Sequence, residues 1–365
     1  MKIGTAIRVG SLLVAAMLLV GAAGCGGGGS PSRAQPPPPP TRSWSMGFSP
    51  LPPRPSVPVI LQGIDLFSTR AEIAAIHEEL PWTDLLAGMS PDAILDRDKT
   101  GLIDYLRGKG LKLYFMEDLT DGLSRGEDAP QLRALGRSIT EPAVQQAYRA
   151  YALAIERKYH PEFIGLGAET NLIRAAGPAN LYAAVVQVAN DAAADLRAAG
   201  RTAPIMISVQ VETAWGGFTG GGYVGVEQDF QDFPFADVLG LSSYPYFVYV
   251  QPEDIPANYY SRILNGRTRP VMIVEGGWTS ASVGSIVSSA EKQARYVTRH
   301  AQLLDSVHAS AVIQLQFADL DLSSFPPPLP ANLPLFVNIG LTDSDFTAKP
   351  ALAAWDALHA RRLVP

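Results

Sequence analysis

Carboxylic acids stand at the ends of several short apolar runs in this chain. Glu117 and Asp118 close the run from Lys112, Glu169 the run from Phe163, Glu212 the run from Pro204, and Glu275 the run from Val271. Held half-buried beside apolar residues, such groups are costly unless they are paired or used. Two carboxyls of unlike protonation are what cleavage of a glycosidic linkage requires. One protonates the departing oxygen, and the other attacks the anomeric carbon or activates water. His77, Tyr244, Gln314 and Gln316 are further polar groups at or near run ends. The five histidines show no ligand spacing, so no metal site is expected. No cofactor is expected either.

Eight runs have the length and composition of doubly buried parallel strands: Ser43–Phe48, Ile73–His77, Lys112–Glu117, Phe163–Glu169, Pro204–Val211, Val238–Tyr244, Val271–Glu275 and Ala311–Phe317. Between them, Pro91–Lys109, Glu141–Tyr159, Ala179–Ala199, Ala290–His308 and Thr347–Arg361 carry apolar residues at three-and-four spacing. Gly110 and Gly200 mark helix ends, and Pro142 suits a first helical turn. The segments after the first, fifth and sixth runs read as short helices within loops. Strand–helix alternation points to a parallel α/β architecture. A doubly wound sheet would want a Gly-rich phosphate turn after its first strand, and none is present. The expected fold is therefore a single (β/α)8 TIM barrel over Ser43–Pro365. Its site would lie at the carboxyl ends of the strands. Strands four and seven are three apart in a ring of eight, so Glu169 and Glu275 would face each other across the mouth. Glu212, on the strand next to the fourth, pairs less naturally across a substrate.

Aromatic residues would supply the other half of a sugar site, by stacking on the C–H faces of a pyranose. Trp82, Trp215, Tyr246 and Trp278 follow strands two, five, six and seven. Trp82 suits a cap on core under the second loop equally well, and Trp355 suits packing on the last helix. Trp215 leads into the Gly-rich segment Gly216–Tyr223, which could fold over a bound chain. His77 fits either a hydrogen-bonded barrel residue or a sugar contact. Glu117 and Glu212 fit supporting positions around a substrate better than catalytic ones.

Phe163-Ile-Gly-Leu-Gly-Ala-Glu169-Thr-Asn171 resembles the acid/base segment on the fourth strand of clan A glycoside hydrolases. Val271-Met-Ile-Val-Glu275-Gly-Gly-Trp278 resembles their nucleophile segment on the seventh. Leu239-Gly-Leu-Ser-Ser-Tyr244-Pro245-Tyr246 resembles the sixth strand, and Gly340–Trp355 the approach to the last helix. The likeness spans Ser43 to the end, in order, with endo-galactanases and endo-mannanases nearest in look. It implies a retaining mechanism with Glu169 as acid/base, Glu275 as nucleophile and Tyr244 holding Glu275 ionised. Asn171, two residues beyond Glu169, and Gln316, on the eighth run, are further candidate substrate contacts. Two positions depart from the clan: Ala168 stands where Asn commonly precedes the acid/base, and Phe317 stands near the place of the usual eighth-strand Trp.

The amino-terminal segment carries a different signal. Lys2 and Arg8 precede the apolar and small-residue run Ser11–Ala23, which is shorter than the ~20 residues of a membrane span. Ala22-Ala23-Gly24-Cys25 resembles a bacterial lipobox, with Ala22 replacing the usual Leu, which implies lipidation of Cys25. Cys25 is the single cysteine, so no internal disulfide can form. Residues 26–42, rich in Gly, Ser and Pro, read as a disordered tether. Removing Lys2 and Arg8 takes the 29 basic residues to 27 against 35 acidic, a charge of −8. That balance, with no dense basic run, argues against nucleic acid as partner. The expectation is an extracytoplasmic, lipid-anchored, monomeric hydrolase acting on a glycan. A non-catalytic carbohydrate-binding lipoprotein and an envelope transglycosidase are the alternatives.

Overall fold

The computed structural model describes residues 40–364 except Thr219. Cys25 and nearly all of the expected tether lie outside the described residues. Eight parallel strands close into a barrel: β1 (Ser45–Phe48), β2 (Ile73–Glu79), β3 (Lys112–Asp118), β4 (Phe163–Gly165), β5 (Ile205–Gln210), β6 (Val238–Ser243), β7 (Val271–Gly276) and β8 (Ala311–Gln314). The seam closes where β1 pairs with β8, Ser45 opposite Ala311 through Phe48 opposite Gln314. Every residue of β5 to β8 is buried, which is why these strands read as continuous apolar runs rather than alternating ones.

Strand parity divides the core into two layers. Ile73, Ala75, Tyr114, Met116, Met206, Val238, Met272, Val274, Ala311 and Ile313 fill the barrel interior. Their neighbours along the strands, such as Leu113, Phe115, Ile207, Leu239 and Ile273, pack outward against the helices. The interior is tight enough to demand glycine in β4: a Cβ on Gly165 would sit 2.4 Å from Met116 Cε. Around the strands run α1 (Val57–Phe67), α2 (Thr100–Gly108), α3 (Pro142–Tyr159), α4 (Ala179–Ala198), α5 (Ala290–Ser306) and α6 (Pro350–His359), with shorter turns between.

Several sequence expectations shift. The segment after β1, expected to be irregular, holds the regular helix α1, with Pro58 in its first turn. The single helix expected over Pro91–Lys109 is two, because Lys99 leaves helical backbone geometry between them and its ammonium pairs with Glu78 on β2. β4 stops at Gly165, four residues short of Glu169. The fold also begins earlier than Ser43. Thr41–Arg42 pairs in parallel with Arg362–Leu363, and the buried Arg42 forms an ion pair with Glu72. Trp355 does pack as core, its ring 4.7 Å from that of Phe48 at the closing seam. No helix among the described residues is long and apolar enough to cross a membrane.

Candidate active site

At the carboxyl ends of the strands lies a cavity of about 690 Å3, with His77, Asp118, Arg125, Glu169, Tyr244 and Glu275 on its floor. Strand parity accounts for two of them. Asp118 follows Tyr114 and Met116 on the inward side of β3, and His77 follows Ile73 and Ala75 on β2. Glu275 is different. With Met272 and Val274 pointing inward, strict alternation would turn Glu275 outward. A bulge resolves this: Leu241 pairs with Ile273 but Ser242 pairs with Glu275, so one residue of β7 is skipped and Glu275 faces the mouth. Ser242 arrives from β6 in step with Val238 and Gly240. Glu169 lies beyond the end of β4, in the left-handed region at φ 49°. That conformation costs about 1–3 kcal/mol for a non-glycine residue. Its N–H is held by Ser208 Oγ at 2.9 Å, and its carbonyl accepts the first bonds of helix Thr170–Ala176.

The floor is one connected network. His77 donates from Nδ1 to Glu275 Oε2 and from Nε2 to Asp118 Oδ1, each at 2.9 Å. Arg125 donates from Nη1 to Asp118 Oδ1 at 2.5 Å and from Nε to Glu169 Oε2 at 2.7 Å. The Ser242 hydroxyl lies 2.7 Å from Glu169 Oε1 and 2.8 Å from Glu275 Oε1. Those two contacts in series cap the separation of the carboxyl oxygens at 5.5 Å, because 2.7 and 2.8 Å add to that limit.

This geometry sets the protons. A serine hydroxyl has one hydrogen and cannot donate to two carboxylates at once. Both contacts are satisfied when one carboxyl is protonated and donates to Ser242, which then donates to the other. Electrostatics selects which. Burial raises the Glu169 carboxyl above its ordinary value; Arg125 opposes this and the Glu275 charge adds to it. Burial also works to raise Glu275, but the hydrogen bond and positive charge of His77, with Arg125 beyond, hold it below the ordinary value. Burial would lower His77, yet Asp118 and Glu275 on its two nitrogens push it up to about 10, so it is a cation at neutral pH. Burial would raise Asp118, but Arg125 and His77 hold it at about 2. The cluster then holds two cations, His77 and Arg125, and two anions, Asp118 and Glu275. It is neutral when Glu169 keeps its proton.

The other sequence candidates fall elsewhere. Glu117, on the outward parity of β3, is fully buried behind the barrel with neither oxygen hydrogen-bonded, and burial with the nearby Glu78 raises it well above the carboxylate range. Tyr244 lines the cavity, but its hydroxyl makes no hydrogen bond among the described residues. His77 and Ser242 occupy the two oxygens of Glu275 that it was expected to hold. Glu212 is buried under the β5 and β6 ends, accepting from Tyr259 Oη at 2.7 Å and the Tyr244 N–H at 2.9 Å; burial pushes it up to about 7. Asn171 is spent on the backbone of Gln210, donating to its carbonyl and accepting from its N–H. Gln316 borders the cavity while donating to the carbonyls of Phe336 and Val337.

None of the expected stacking aromatics reaches the cavity. Trp82 is core. Trp278 is buried and bonded to Ser288, Trp215 stacks on Tyr259, and Tyr246 donates to the Leu335 carbonyl. Sequence reading noted Asp118 at the end of its run without giving it a role, and passed over Ser242 and Arg125. Asp118 and Ser242 lie on doubly buried strands whose continuous runs hide which face a residue takes, and Arg125 lies in an irregular loop with no periodic signal. Among the described residues no cluster of three or more His, Cys, Asp or Glu is arranged to hold a metal ion.

No protein-family model and no curated protein matches the chain. Solved structures do resemble it. An exo-β-1,4-mannosidase from Opitutaceae bacterium strain TAV5 superposes with a TM-score of 0.63 at 18% identity, over 87% of this chain and 59% of that one. A GH5_18 protein from Bifidobacterium longum subsp. longum, solved with Manβ1-4GlcNAc, gives 0.61 at 14% identity over 88% and 80%. A β-glucuronidase from Ruminococcus gnavus, solved with D-glucuronic acid, gives 0.54 at 15% identity over 88% and 49%. At such identities the likeness establishes the fold, a (β/α)8 barrel. The chain spans little more than half the length of the mannosidase.

Proposed function

We propose that the protein is a retaining glycoside hydrolase. The observation that carries this is the Ser242 bridge, which limits the carboxyl oxygens of Glu169 and Glu275 to 5.5 Å. Retention uses carboxyls about 5–5.5 Å apart, whereas inversion needs about 6.5–9.5 Å to admit a water. The glycosidase names of the structural neighbours agree with this reading.

In the first step a Glu275 oxygen bonds to the anomeric carbon as the bond to the departing oxygen breaks, and Glu169 passes its proton to that oxygen. Glu169, now ionised, is held by Arg125. In the second step it takes a proton from water, whose oxygen displaces Glu275 from the anomeric carbon. His77 and Asp118 keep Glu275 ionised and aimed. The proposal also places the protein outside the cytoplasm with a lipid on Cys25, on the support of its first 25 residues alone.

Turnover of a panel of aryl and natural glycosides tests the assignment. Glu275→Ala should abolish turnover of all of them. Glu169→Ala should lose about 10²–10⁴-fold on natural glycosides but much less in the first step of an aryl glycoside, whose leaving group needs no proton. Azide should accelerate that variant by attacking the intermediate. An unimpaired Glu275→Ala enzyme would overturn the proposal.

A further inference from the structure

Resting on the hydrolase reading, we infer that the substrate is a glycoside with a long apolar aglycone, an alkyl or acyl chain, rather than a polysaccharide. Beyond the charged floor, Glu78, Glu79 and Asp121 also line the cavity, but much of the remaining lining is apolar. An aromatic wall runs outward from Tyr244: its ring is 5.1 Å from Phe336, Phe336 is 5.8 Å from Phe247, and Phe247 is 5.8 Å from Phe218. Phe218 stands half exposed at the outer edge of the same cavity. Leu123 and Leu172 line the cavity as well.

A glycan chain needs polar side chains along its path to read hydroxyls. Here most of the wall side chains that could do so already hold protein partners. Gln316 holds the carbonyls of Phe336 and Val337, and Asn332 holds that of Leu123. Gln210 accepts from the Thr213 N–H and donates to Glu212, and Asp121 pairs with Arg133 while accepting from the Leu123 N–H. Side-chain oxygens without a protein partner at the cavity include the Ser49 hydroxyl, buried at the end of β1, the Tyr244 hydroxyl, Oε1 of Glu78, and one oxygen of Glu79, whose other oxygen accepts from the Gln131 N–H. That set suits one sugar ring over the carboxylates. Beyond it the cavity offers apolar surface continuous with the reacting groups, where a hydrocarbon chain is stabilised and a hydroxylated ring is desolvated without compensation.

The experiment compares kcat/KM for methyl, hexyl and dodecyl glycosides of whichever sugar the aryl-glycoside panel shows to be cleaved, alongside oligosaccharides of that sugar. Burial of a methylene contributes roughly fourfold. The ratio of hexyl to methyl should therefore exceed about a hundredfold, and oligosaccharides should fall below the hexyl glycoside. Phe218→Ser and Phe247→Ser should each lower the dodecyl-to-methyl ratio. Cleavage with a flat dependence on chain length, or with oligosaccharides preferred, would overturn the apolar-aglycone inference and leave the hydrolase reading standing. Absence of cleavage across the whole panel would overturn both.

Discussion

At the scale of single residues, two glutamates of the same type are made chemically unequal by what touches them. Glu275 faces a cation, His77, whose own charge is secured by Asp118 on its far nitrogen. Glu169 shares Arg125 with Asp118, so that cation is only partly its own. The difference predicts how the pH profile responds to mutation. In the proposed mechanism Glu275 must be ionised to attack, so kcat/KM falls as pH drops through its depressed pKa. Glu169 must be protonated to donate, so kcat/KM falls as pH rises through its raised pKa. His77→Gln removes the positive charge beside Glu275 and keeps a hydrogen-bond donor. The acid limb should then move to higher pH, by about one unit or more given the usual effect of an adjacent opposite charge, while the alkaline limb moves less. A profile with an unmoved acid limb would mean that His77 does not set the Glu275 proton. The two glutamates were legible in the sequence because both end apolar runs. The serine between them was not, since a serine within an apolar strand carries no signal of its own.

At the scale of elements, the site depends on irregularities that periodicity does not reveal. The β7 bulge turns Glu275 inward, and the early end of β4 frees Glu169 to take a left-handed backbone. Strand positions were readable because doubly buried strands are continuous apolar runs. That same continuity hid which face each residue takes, and so Glu117 was counted toward the site instead of Asp118. The Trp residues misled for a related reason: following a strand in sequence places a residue above the barrel but does not aim its ring. Packing inside the barrel gives a test of the observed parity. Gly165→Ala places a methyl against Met116 Cε and Sδ, the flexible end of an inward side chain. Overpacking of this kind costs about 1–3 kcal/mol. Met116→Ala alone leaves a cavity and should also destabilise, by about 2–5 kcal/mol. The two sites share one volume, so the double variant should be less destabilised than the two losses added together, as read by urea unfolding. Strict additivity would show that Gly165 and Met116 do not compete for that space.

At the scale of the whole molecule, the barrel brings strands four, six and seven to one point from a stretch of chain more than a hundred residues long. Closure is what fixes their spacing. The seam between β1 and β8 is backed by Phe48 and Trp355, and the Thr41–Arg42 pairing with Arg362–Leu363 ties the two ends of the fold together. Held in that ring, Glu169 and Glu275 cannot part far enough for a water to stand between them without breaking at least one of the Ser242 contacts. The stereochemistry of hydrolysis therefore reports directly on the arrangement. Proton NMR of the first-formed sugar, recorded before mutarotation, should show the same anomeric configuration as the substrate. A first-formed product of inverted configuration would contradict the central claim, because it would require a water where this structure places a single bridging hydroxyl.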